Sequence, residues 1–98
     1  MTPVIISMPN TLNIPTGTDV KFMCFVTTNP GDVVQYSFFQ DNIMISTTSS
    51  NSYSLKGNSV YNGFYSCSVT INGVPSVPSD SIERKFTSGK ILFIYMLS

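Results

Sequence analysis

NGFYSCSVTI, residues 62–71, decides how this chain folds. Tyr65, Cys67, Val69 and Ile71 fall on one side of an extended backbone and Ser66, Ser68 and Thr70 on the other, the two-residue period of a half-buried strand. Two further stretches repeat the pattern. In TDVKFMCFV, residues 18–26, Val20, Phe22, Cys24 and Val26 share a face opposite Lys21 and Met23. In VVQYSFFQDN, residues 33–42, Val34, Tyr36 and Phe38 oppose Gln35 and Ser37, with Phe39 on the outer side. No segment sustains the i, i+3, i+4 spacing of an amphipathic helix, so the fold class is all-β.

Turn chemistry separates these strands: Pro15-Thr16-Gly17, Asn29-Pro30-Gly31-Asp32, Asp41-Asn42 and Asn72-Gly73. Asn72-Gly73 predicts a type I′ hairpin, because both residues tolerate positive φ. STTSSNS, residues 46–52, reads as a solvated connection, and Asn-x-Ser/Thr sequons are absent. Pro75 and Pro78 cannot donate to a ladder, so the return from the hairpin is expected to be a longer loop or an edge strand beginning near Ser79.

Composition narrows function. Five Lys plus Arg balance five Asp plus Glu, leaving no basic field for nucleic acid or an anionic membrane surface. Charged residues make up 10% of the chain, far below the roughly 25% of average domains, and Ser, Thr and Asn supply the polar surface instead, as in many extracellular β domains. Histidine is absent, which removes the commonest general base and zinc ligand. The carboxylates Asp19, Asp32, Asp41, Asp80 and Glu83 are scattered among turn-rich segments, and no phosphate loop, nucleophile elbow or metal-ligand cluster stands out. The sequence therefore predicts no enzyme, cofactor or metal. TPVIISMPN after Met1 lacks the basic and apolar regions of a secretory leader, and ILFIYML, residues 91–97, is too short for a bilayer that needs about twenty apolar residues. That tail reads as a cut-off membrane span, an extra strand or an artefact of a fragmentary gene.

A chain of 98 residues buries roughly 65% of its unfolded surface, a modest core that often needs a staple. Cys24 and Cys67 both face inward, 43 positions apart, and could meet across two packed sheets. A bridge there would close a loop of about 44 residues and contribute roughly 4 kcal/mol by chain entropy. Buried, reduced core thiols are the alternative. Two positions before Cys67, Tyr65 can turn its hydroxyl back to the backbone at the strand's corner, where Gly63 provides a position without a Cβ.

GFYSC, residues 63–67, and PTGTDVKFMC, residues 15–24, together resemble the paired cysteine motifs of immunoglobulin-like domains. Phe38, 14 positions after Cys24, stands in what resembles the slot of the family's core tryptophan. The resemblance implies an immunoglobulin-like β-sandwich of two antiparallel sheets, about seven strands, of C2-like or I-like topology, with one inter-sheet disulfide between Cys24 and Cys67. Its implied core includes Val20, Phe22, Phe38, Gly63 and Tyr65, and its domain covers residues 1–86, leaving 87–98 as an apolar tail. VVQYSFFQDN, YSLKGNSVYNGFYSC and VPSDSI are similar to the Fc receptor-like group of leukocyte receptors. Two departures stand out. Tyr61 replaces the acidic residue the family commonly carries there, and Arg84 occupies an inner slot between Ile82 and Phe86. An unpaired buried charge would cost several kcal/mol, so Arg84 is expected either to reach solvent at the domain end or to mark a slipped register.

The resemblance implies an extracellular recognition module of a cell-surface immune-type receptor, binding a protein ligand or neighbouring immunoglobulin-like domains. Any membrane association would come through parts of a parent chain outside this sequence. The candidate contacts are Asn29, Gly31 and Asp32, Asp41 and Asn42, and Asn72 to Pro75 on loops at one end, or the exposed sheet carrying Phe39. Asn, Asp, Gly and Pro are also what turns select in any case. Phe39 and Met23 point outward, where cover by a neighbouring loop competes with a partner surface. A structural or adhesive spacer is the rival class, and a non-functional fragment a third reading.

Overall fold

Burial alternates along the chain as residue type does. The computed structural model describes residues 2–88. Among them run β1 (Val4–Met8), β2 (Asn13–Pro15), β3 (Asp19–Phe25), β4 (Val34–Gln40), β5 (Ile43–Thr48), β6 (Ser52–Lys56), a 3-10 turn (Ser59–Tyr61), β7 (Gly63–Ile71), β8 (Val74–Pro75) and β9 (Ile82–Thr87). One sheet has the order β1-β3-β6; the other has the order β2-β9-β7-β4-β5, with β8 added to β7. The count exceeds the expected seven because β2 and β8 are short additions. The sheets are also not wholly antiparallel, for β2 runs parallel to β9. After β1 the chain crosses to the other sheet, and Pro15, which lacks an N–H, sits on that sheet's edge where the missing donor costs no ladder bond.

The inward residues meet in one core: Ile5, Ile14, Val20, Phe22, Cys24, Phe38, Tyr65, Cys67, Val69 and Phe86. Cys24 on β3 and Cys67 on β7 form a disulfide between the two sheets, with Cα atoms 6.1 Å apart. Phe22 stacks on Tyr65 with ring centroids at 4.2 Å. Phe38 is fully buried, lies opposite Cys67 in the β4–β7 register and stacks on Tyr53.

Several expectations need correcting. The run at residues 46–52 is not one loop: Ser46–Thr48 complete β5, and Ser52 opens β6. Threonine suits a strand, and the polar side chains here lie on an outer strand, where Ser37 Oγ meets Thr47 Oγ1 at 3.3 Å. Phe39 is half-buried, and its register neighbours are Met44 on β5 and Ser66 on β7. The last strand begins at Ile82, not Ser79. Between β8 and β9, two serines replace the ladder: Val69 N donates to Ser76 Oγ and Cys67 N to Ser79 Oγ. The backbone N–H groups of those serines return bonds to the carbonyls of Val69 and Cys67.

Arg84 follows neither expected course. It stays in register opposite Gly63, and it is only 7% exposed. Three neutral oxygens receive its guanidinium: Ser7 Oγ from Nε at 2.8 Å, Asn10 Oδ1 from Nη2 at 2.7 Å and the Glu83 carbonyl from Nη1 at 2.6 Å. Charge-assisted bonds of this kind offset the desolvation that would otherwise expel the group. At the chain's far end, β9 runs through Thr87, whose carbonyl accepts Thr16 N–H at 2.8 Å, one residue past the expected boundary at 86. The apolar stretch 91–97 lies outside the described residues.

Candidate recognition surfaces

The candidate contact residues separate into two groups at opposite ends of β4 and β7. Val34 pairs with Ile71 at one end and Gln40 with Tyr65 at the other. Asn29, Asp32, Asn72 and Gly73 follow or precede the first pair; Asp41 and Asn42 lie beyond the second. The expectation of a single loop end is therefore corrected, because β4 and β5 form a hairpin whose turn points away from the Asn72-Gly73 turn.

At the first end, two loops are latched together. Asp32 Oδ2 accepts Asn29 N–H at 2.7 Å, which closes the first loop on itself. Asn72 Nδ2 donates to Asp32 Oδ1 at 3.0 Å, and Asn72 Oδ1 accepts Val33 N–H at 2.9 Å. Asn72 N–H then bonds the Val33 carbonyl at 2.8 Å. Asn72 and Gly73 both have positive φ, as a type I′ turn requires. Val33 and Val74, next in sequence to the latched residues, stand exposed.

At the second end, Asp41 works as a clasp. Its Oδ1 accepts Phe64 N–H at 2.9 Å, while its own N–H donates to the Phe64 carbonyl at 2.8 Å. Gly63 has φ 152°, and a Cβ there would stand 2.6 Å from Asp41 Oδ2, so the glycine makes room for the clasp. Beside it the Tyr65 hydroxyl donates to the Tyr61 carbonyl, four residues upstream. Burial, followed by the neighbouring Tyr53, Asp41 and Tyr61, holds the Tyr65 phenol well above its usual pKa. Burial also lowers the pKa of the Arg84 guanidinium.

One surface emerges that the loop motifs do not reveal. Phe39 is opposite Met44 on β5 and Ser66 on β7, and Phe64 lies one diagonal step away on the same face. Met44 is 57% exposed and Phe64 51%. An apolar row thus crosses three adjacent strands on the outer face of the larger sheet. Its signal in the sequence was the outward parity of Phe39 and Phe64, but the β-bulge between Phe38 and Phe39 in the β4–β5 pairing, which brings Met44 alongside, has no local signature.

Chemically these surfaces offer hydrogen bonds and apolar contact. Among the described residues, no three His, Cys, Asp or Glu side chains come together as metal ligands. No helix among them is long and apolar enough to cross a membrane.

Two packed sheets, an inter-sheet disulfide, a Tyr65 corner and loops gathered at the sandwich ends define a recognition- or adhesion-type β-sandwich domain. The family profile described as immunoglobulin domain matches residues 2–83, and the chain belongs to that family. No curated protein matches the chain. Domains of this family commonly mediate protein–protein contacts, and a disulfide between the sheets fits an extracellular setting.

Proposed function

We propose that this immunoglobulin domain is a protein-binding module of a cell-surface receptor of the immune type, similar to the Fc receptor-like group, acting without catalysis. The apolar row of Phe39, Met44 and Phe64 carries the reading. It places two exposed apolar side chains, Met44 and Phe64, on either side of the half-buried Phe39 on one sheet face, as an interface centre needs. Ser37, Thr47 and Ser68 continue the same face as a polar margin. The latched loops at Asn29, Asp32, Asn72 and Gly73 are the second candidate surface, and Asp41 and Asn42 border the apolar row.

The test is a screen of the oligomerised domain against a panel of extracellular proteins, repeated with Phe64→Ser and Met44→Ser. A ligand whose binding falls at least tenfold in both variants, about 1.4 kcal/mol each, supports the surface, provided both melt like the parent. A ligand indifferent to both substitutions removes it.

A spacer reading has its own observation. Exposed apolar residues also occur at each end of the sandwich: Val33 and Val74 at one, Leu12 and Val60 at the other. If flanking domains bury these residues and no ligand uses the sheet face, the spacer reading replaces the first.

A further inference from the structure

We propose that Asn72 is a self-modification site: it deamidates through Gly73, and the new carboxylate opens the latch between the two loops. The Gly73 amide nitrogen attacks Asn72 Cγ and forms a new C–N bond. The Cγ–Nδ2 bond breaks, and ammonia leaves with the proton that Gly73 gives up. Water then opens the five-membered imide, leaving aspartate or, where the chain continues through the side-chain carbonyl, isoaspartate. No oxidant or reductant is consumed.

The surroundings of Asn72 favour this step. Gly73 is exposed, and even an added Cβ there would meet nothing within 4 Å, so the turn stands open to solvent. Val33 N–H, 2.9 Å from Asn72 Oδ1, points at the oxygen on which negative charge develops as the tetrahedral intermediate forms. Asp32 Oδ1 holds the departing Nδ2 at 3.0 Å.

The chain contains a built-in comparison. Asn62-Gly63 is the same dipeptide, yet Gly63 is half-buried, is paired with Arg84 and lies so close to the Asp41 carboxylate that even a Cβ would clash. Asn62 Oδ1 accepts Phe86 N–H at 2.7 Å, which ties that side chain to β9. The two sites share chemistry and differ in access.

Conversion at position 72 replaces an amide donor with a carboxylate facing Asp32. Two like charges then stand where a 3.0 Å hydrogen bond was, and they repel each other. Isoaspartate also adds a backbone atom to a two-residue turn, which displaces the register of Ile71 with Val74. Any consequence for ligand binding rests on the recognition reading above; the modification itself does not.

Intact protein is incubated in mildly alkaline buffer, and peptide mapping follows the amide-to-acid mass gain at both asparagines, with isoaspartate methyltransferase labelling as the second readout. Asn72 is expected to convert ahead of Asn62, at a rate within about tenfold of a free peptide spanning residues 69–76, a barrier difference of at most ~1.4 kcal/mol. Gly73→Ala slows it at least tenfold. Hydrogen exchange on Asn72→Asp, which mimics one product, is expected to show faster exchange at the Val33 and Asn29 amides at neutral pH, reversing in acid. Conversion of Asn62 first, an Asn72 far slower than the peptide, or unchanged exchange in Asn72→Asp would overturn the proposal.

Discussion

Arg84 Nε donates to Ser7 Oγ at 2.8 Å, joining β9 to β1 across 77 residues of chain and from one sheet to the other. Ser7 is completely buried, and its hydroxyl donates onward to the Pro9 carbonyl at 2.7 Å. The serine therefore serves as acceptor for a buried charge and as donor to the turn that carries the chain toward β2.

That relay predicts an asymmetry. Ser7→Ala leaves the guanidinium Nε–H without an acceptor and is expected to destabilise by about 1–3 kcal/mol. Arg84→Met removes the charge together with its desolvation cost while the Ser7 hydroxyl keeps the Pro9 carbonyl, and it is expected to fall within ~1 kcal/mol of the parent. Urea unfolding of both variants measures this; an Arg84→Met variant weaker than Ser7→Ala would contradict it.

The disulfide closes a separation of 43 residues. Replacing Cys24 and Cys67 together by alanine is expected to cost about 4 kcal/mol, mainly by freeing the unfolded chain. Equilibrium unfolding with and without reductant gives the same quantity independently, and agreement between the two measurements is the expected outcome.

Tyr65 links stability to alkaline pH. Its phenol is raised above the usual value by burial first, so the folded state holds its proton where the unfolded chain loses it. The associated stability is fully present below about pH 10, the unfolded value, and declines as pH rises through the folded one. Tyr65→Phe is expected to lose about 1 kcal/mol at neutral pH, from the missing bond to the Tyr61 carbonyl, and to show a shallower alkaline decline. Denaturation midpoints across the alkaline range report both; an unchanged slope would count against this account.

Gly63→Ala forces a side chain into φ 152° and against Asp41. A loss of roughly 1–3 kcal/mol is expected. Asp41→Ala alone loses the acceptor for Phe64 N–H, so the clash is read from a double-variant cycle: Gly63→Ala should cost less in the Asp41→Ala background than in the parent, with the backbone strain remaining. Thermal melting of the single and double variants separates the two contributions.

The strand faces were legible because period-two alternation is a local property: Val20, Phe22, Cys24, Phe38, Tyr65, Cys67 and Val69 all lie inward as their parity requires. Turn chemistry was legible for the same reason, and the positive φ at Asp41, Asn42, Asn72 and Gly73 follows from the residue types. The serines at 76 and 79 were not, since a hydroxyl that completes a proline-interrupted ladder resembles any loop serine until β7 is placed beside it.

The sequence by itself determined a β-sandwich with inward-facing cysteines and asparagine-glycine turns, because each of these depends on a few consecutive residues. Tertiary structure alone decided that Arg84 stays buried, that Asp41 clasps Phe64 while Asp32 latches Asn72, and that Phe39, Met44 and Phe64 form one surface. Those outcomes depend on which oxygens and strands, distant along the chain, arrive within hydrogen-bonding or packing distance, and pairing register sets that across the whole sheet.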